Sequence, residues 1–166
     1  MLALYDSNDR PGDQSAMSDQ FVDELFAKLD TERQEALTKA ATATHTRERV
    51  ADAAGIWWEE FCRLLEHKVN AWNAKGAADI HVSWTKNANG SIKLWHRSVE
   101  AELRLAGSRA MTTGRVGETR PRESCFIEFR ELRGSVSAIL ADNTATSPAV
   151  AAEHLLGPIF TRAFAD

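Results

Sequence analysis

Up to Gly76, apolar residues recur every three or four positions; from there to about Ala141 they alternate with polar ones. A period of 3.6 marks a helix with one buried stripe, and a period of two marks a strand with one buried face. The change of rhythm therefore predicts a helical first half (18–76), an antiparallel sheet (77–141) and a closing helix (147–165).

Within the first half, Ser18 or Asp19 can cap a short helix in which Phe21, Leu25 and Leu29 repeat beside Val22 and Phe26. Thr31 with Gln34 fits a capping box, so a second helix is expected there, rich in alanine and thin in large apolar residues. The third helix, from about Thr46 to Lys75, is the strongest element. Val50, Ala54, Trp57, Phe61, Leu64, Leu65 and Trp72 share its apolar stripe, with Glu59, Arg63, Glu66, Asn70 and Asn73 on the far side. Gly76 suits its C-terminal stop. Trp58 falls off the centre of the stripe and, if exposed, would anchor a partner helix or a second copy of the chain. Lys68 falls inside it, which suits a stem that packs while its amine reaches water.

In the sheet, Ile80, Val82 and Trp84 alternate with His81, Ser83 and Thr85, and Ile92 and Leu94 alternate with Lys93 and Trp95. Asn87–Gly90 suits a three-residue hairpin loop with glycine in the left-handed conformation, which sets Trp84 opposite Leu94 and Ile92 opposite Lys86. Apolar residues are even-numbered up to Leu94 and odd-numbered from Val99, so a turn or bulge near Arg97-Ser98 must absorb one residue. Further strands are expected at Arg109–Val116, Ser124–Arg130 and Ser135–Ala141. Ser147 then caps a helix with Pro148 in its first turn, and Gly157-Pro158 should kink it.

These elements make an α+β domain, with N-terminal helices including a long third one, a five- to six-stranded antiparallel meander and a C-terminal helix packed on the sheet. Residues 1–17, polar and without periodicity, are expected to form a flexible tail before a single domain at 18–166. A chain of 166 residues with 43% hydrophobic and 27% charged residues has the size and composition of one ordinary globular domain. Two cysteines make no disulfide framework and suit a reducing cytoplasm, no apolar run is long enough for a bilayer, and no secretory leader is apparent.

The net charge of -4 hides an asymmetry: residues 77–141 carry ten bases against seven acids, and eight of the bases are arginines. That surplus falls far below the basic bias of a dedicated nucleic-acid binder.

Candidate chemistry is sparse. The five histidines show no metal-ligand spacing, and no phosphate-binding glycine loop precedes a helix, so neither metal nor cofactor is expected. Cys125 shares parity with Ile127 and Phe129, which predicts a core position; Cys62 lies at the edge of the helical stripe. Neither has a neighbouring histidine, though a fold can supply one. On the polar face of the first hairpin, Trp95 lies between Lys93 and Arg97, the arrangement of a stacking platform, although a lone strand tryptophan usually finds cover. Arg115, Arg120 and Arg122 cluster around the Gly117–Arg122 loop and suit an anionic partner.

The sequence therefore points to a non-catalytic interaction or adaptor protein of the cytoplasm, self-associating or bound to a protein partner. Two alternatives stay open: a small-ligand domain with a pocket between sheet and helices, and a weak nucleic-acid or anion binder using the arginine-bearing sheet. The residues nominated for binding are Trp58, Trp95, Arg97, Arg115, Arg120 and Arg122.

Overall fold

The computed structural model describes residues 13–97, 99–116 and 122–165, with side chains for 20–97, 99–114 and 124–165. The chain divides into two compact units, 1–44 and 45–166. Helix α1 (Asp13–Lys75) contributes to both.

In the first unit α1 starts at Asp13, within the stretch expected to be a tail; residues 1–12 lie outside the described residues. The helix passes through Thr31 without a break, and no new helix begins near Thr46. The hydroxyl expected to cap a second helix is used differently: Thr31 Oγ1 donates back to the Ala27 carbonyl at 2.9 Å, as Thr38 does to Gln34 and Thr42 to Thr38. A threonine bonded to the preceding turn sits inside a helix, and no proline or glycine between Asp13 and Ala54 forces a stop. Every residue from 20 to 45 is exposed.

In the second unit, residues 45–75 of α1 lead through a short 3-10 turn (Ala78–Ile80) into six strands: β1 (Ser83–Lys86), β2 (Ile92–His96), β3 (Val99–Ala106), β4 (Arg109–Val116), β5 (Arg122–Leu132) and β6 (Ser135–Leu140). They form one antiparallel meander in sequence order, closed by α2 (Pro148–Ala165). The architecture is the α+β one that the hydrophobic rhythm predicts.

The first hairpin has the expected register, Trp84 opposite Leu94 and Lys86 opposite Ile92, with Gly90 at φ 79°. The parity change is absorbed between His96 and Val99, which pair with each other, and Arg97 adopts a left-handed φ of 45°; Ser98 lies outside the described residues. Gly76 follows the last residue of α1 as expected, but not in the left-handed conformation; a Cβ there would lie 2.6 Å from Ile80 Cδ1, so a side chain would require Ile80 to shift. α2 begins as expected, with Ser147 Oγ accepting from Val150 N at 3.3 Å, and it runs through Pro158 as one helix.

The core lies between one sheet face and the two helices. Phe61 is fully buried between Trp57 and Trp58, its ring centroid 5.3 and 5.4 Å from theirs, and it meets Phe126 of β5. Ile92, Leu94, Leu103 and Ile127 supply the sheet side, and Ala152, Leu156 and Ile159 the α2 side. Asn73, expected on the polar side of the helix, instead clamps the entry to β1. Its amide donates to the Val82 carbonyl at 2.8 Å and accepts from the Val82 N–H at 2.9 Å. Trp72 Nε1 donates to the Ile80 carbonyl at 2.9 Å beside it.

Two cysteine expectations part ways. Cys62 is buried, and desolvation pushes its thiol up to about 11, so it is an inert core thiol. Cys125 is exposed, against the parity expectation. The β4–β5 register slips between Ala110 and Met111: Ala110 opposes Ile127 whereas Met111 opposes Cys125, which leaves Phe126 as the extra residue of a bulge. Inserting one residue reverses the facing of everything on its far side.

Candidate interaction surfaces

The residues nominated from sequence do not converge on one site. Trp58 is buried, 6% exposed, and its indole N–H points to the Gly90 carbonyl of the first hairpin at 3.4 Å. It faces inward because the sheet covers a wider band of α1 than the stripe through Trp57 and Leu64, and it is therefore no surface anchor. Trp95 is 39% exposed on the outer sheet face, level with Ser83 on one side and Glu100 on the other. Arg97 is exposed in the adjoining turn. Position 115 lies opposite Glu100 in the same row, two strands from Trp95. The side chains of Arg115 and Arg122 lie outside the described residues, as does Arg120 entirely.

The outer sheet face is of mixed charge. Beside Trp95, Lys93 pairs with Glu100 at 2.8 Å; from the helix side Arg49 of α1 reaches both Glu131 at 2.9 Å and the Gly134 carbonyl at 2.8 Å; and at the other end of the sheet Arg109 and Arg130 converge on Glu128. The two guanidinium groups hold the Glu128 carboxyl below its ordinary range, Arg130 more strongly than Arg109. Bases engaged with carboxylates of the same face are not arrayed for a run of phosphates, which weakens the nucleic-acid alternative.

Two of the concavities in the second unit gather candidate chemistry. A notch of about 330 Å³ opens where β5 extends past the end of β6, lined by Thr112, Ser124, Cys125, Phe126, Asp142 and His154 among others. His154 stacks over Phe126, and the Asp142 carboxyl is held below its ordinary range, mainly by the Thr144 N–H. The fold thus brings a histidine to the thiol, as sequence alone could not show. Yet the Cys125 thiol donates to the Ile127 carbonyl at 3.4 Å, and among the described residues no hydrogen bond joins it to His154. A nucleophile–base pair of the usual kind is not assembled there.

The second concavity, about 520 Å³, is a groove between the last turns of α1 and the middle of α2. It holds Trp72 stacked on Phe160, ring centroids 4.3 Å apart and nearly parallel, and Lys68 ion-paired to Glu153 at 2.8 Å. This groove lies between the two helices, not between sheet and helices, where a ligand pocket was expected. Among the described residues no group of three or more histidine, cysteine, aspartate or glutamate side chains could hold a metal ion.

The first unit carries the surface that sequence reasoning missed. Phe21 and Phe26 are 65% and 67% exposed, and Val22, Leu25, Leu29 and Leu37 are exposed with them. Their helical spacing was legible; their lack of cover was not, since an apolar stripe looks the same whether its own fold or another molecule covers it. No helix of the described residues is long and apolar enough to cross a membrane. The chain matches no protein-family model, no curated protein and no solved structure.

Proposed function

We propose that this is an interaction protein that self-associates through the apolar face of its first-unit helix. One observation carries the reading: Val22, Leu25, Phe26 and Leu29 lie within one turn-to-turn stripe and stand exposed together. An exposed contiguous apolar patch on a protein is far more often an interface than an accident.

The charge pattern selects the occupant. Residues 20–44 carry five acids (Asp23, Glu24, Asp30, Glu32, Glu35) and three bases (Lys28, Arg33, Lys39). A helix meant for an anionic membrane surface or for nucleic acid needs a basic polar face, and this one is slightly acidic. A second copy fits better. Antiparallel pairing about a two-fold axis between Leu25 and Phe26 brings Val22 level with Leu29 of the copy and Leu25 level with its Phe26. It also sets Asp23 level with Lys28, whereas parallel pairing would stack the acidic pairs Asp23-Glu24 on each other.

Sedimentation equilibrium on the full chain, 18.4 kDa as a monomer, tests this. A concentration-dependent dimer is expected, with Leu25→Asp/Leu29→Asp returning it to the monomer while near-UV circular dichroism of the tryptophans is unchanged. A wild-type monomer at tens of micromolar overturns the reading.

A further inference from the structure

The groove between α1 and α2 is floored by Ala71, Leu156 and Gly157 and walled by the stacked Trp72 and Phe160. Its volume of about 520 Å³ falls within the range of small-molecule sites. Trp72 satisfies its own indole N–H at the Ile80 carbonyl, so what it offers the groove is apolar.

Gly157 is the telling residue. Glycine inside a helix is costlier than alanine because it must give up more backbone freedom, so a helix interior keeps it only for a reason. Here the usual reasons are absent: its φ is not left-handed, and a Cβ built on it would meet nothing within 4 Å. The chain itself does not need that space. Pro158 follows, lacks an N–H and leaves the His154 carbonyl without its intrahelical donor. Two residues that weaken a helix thus stand together where α2 borders the groove.

The rim is cationic. Lys68 is already matched by Glu153, which leaves Lys75 and His67, neither with a hydrogen bond or ion pair among the described residues. From Lys68 to Lys75 the helix rises about 10 Å, the length open to an apolar body lying along it.

We propose that this groove binds a medium-chain carboxylate. The chain lies over Ala71, Leu156 and Gly157 against the Trp72 and Phe160 rings, and the head group pairs with Lys75, supported by His67. The site lies wholly within residues 45–166 and does not depend on the first-unit helix.

Decanoate is the probe, titrated calorimetrically against the full chain, with decanol as the uncharged counterpart. Saturable one-to-one binding of decanoate is expected, at least ten-fold tighter than any binding of decanol. Gly157→Leu should weaken it at least ten-fold and Lys75→Ala three- to ten-fold. Gly55→Ala, an α1 glycine equally free of close neighbours but outside the groove, should leave it unchanged. Thermal melts accompany each variant; Gly157→Ala serves as a smaller plug should the leucine variant fail to fold, with a several-fold loss expected. No saturable binding, or binding that survives the plug in a folded variant, overturns the proposal. Equal affinity for decanol, or for the Lys75→Ala variant, overturns the carboxylate assignment.

Discussion

Residues 20–44 and 45–75 belong to one helix, and both carry apolar residues three and four apart, yet their surroundings differ completely. In the later segment Ala54, Phe61, Leu65 and Val69 are fully buried; in the earlier one Phe21 and Phe26 are about two-thirds exposed. Helical propensity cannot account for the difference, since both segments are helical. What differs is cover: six strands and α2 supply it for the later segment. A hydrophobic stripe therefore specifies that a face will be covered, without specifying by what. The later segment stabilises the fold, and the earlier one is left with apolar surface available to another molecule.

The sharpest way to break this contrast is to truncate one phenylalanine from each segment. Phe61→Ala removes a ring sandwiched between two tryptophans and leaves a cavity, so chemical denaturation should show a loss of about 3–5 kcal/mol. Phe26→Ala should change the stability of residues 45–166 by less than about 0.5 kcal/mol, as exposed substitutions usually do. Comparable losses from the two would mean that the first-unit face is structural after all.

A smaller effect is expected at the end of the later segment. Asn73→Ala deletes both hydrogen bonds to Val82 and strands the N–H of a residue with no solvent exposure. About 2 kcal/mol should be lost, with hydrogen exchange at Val82 accelerated before that of the β3–β4 core. If exchange at Val82 does not change, the clamp is not what holds β1 to the helix.

Most of the sheet was legible from sequence because its signals are local. Alternation, the Asn87–Gly90 loop and the Arg133-Gly134 break each involve only a few neighbouring residues, and the structure has turns at both breaks and strands over the alternating segments, except that Ile80 closes a 3-10 turn and β1 begins only at Ser83. Three features were not legible, each for a long-range reason. The bulge at Phe126 depends on which residues of β4 oppose β5, so parity sent Cys125 to the wrong face. The burial of Trp58 depends on how wide a band of α1 the sheet covers. The continuity of α1 through Thr31 depends on a choice between two hydrogen bonds for one hydroxyl, both compatible with the same local sequence. The groove at Gly157 has the same character: Gly-Pro in a helical pattern predicts a kink, and only the approach of α1 makes it the border of a cavity.

Left-handed Arg97 offers a gain rather than a loss. A side chain at φ 45° is strained, since only glycine adopts that region freely. Arg97→Gly should stabilise residues 45–166 by about 0.5–1 kcal/mol, read as a shift in the denaturant midpoint at constant slope. A destabilisation would mean that the guanidinium contributes more to the fold than its backbone strain costs, and that Arg97 is held by the outer face around Trp95.

The smallest effect is the most specific to the second unit, and its sign follows from the ion pairs on the sheet. Arg130 and Arg109 hold the Glu128 carboxyl below its ordinary value of 4.5. In the unfolded chain that carboxyl returns to the ordinary value and binds a proton more readily. Below pH 4.5 the unfolded state therefore holds more protons than the folded one, and stability falls as the pH falls. The contribution is complete above the unfolded value and is lost as the pH drops through the lowered, folded one. Glu128→Gln has no such proton to bind, so its stability should decline less between pH 5 and pH 3 than that of the wild type, while the two differ only slightly at neutral pH, where exposed pairs are weak. Parallel curves for the two proteins through that interval would show that Glu128 is not paired in solution, and would return Arg109 and Arg130 to the surface as cations available to an anionic partner.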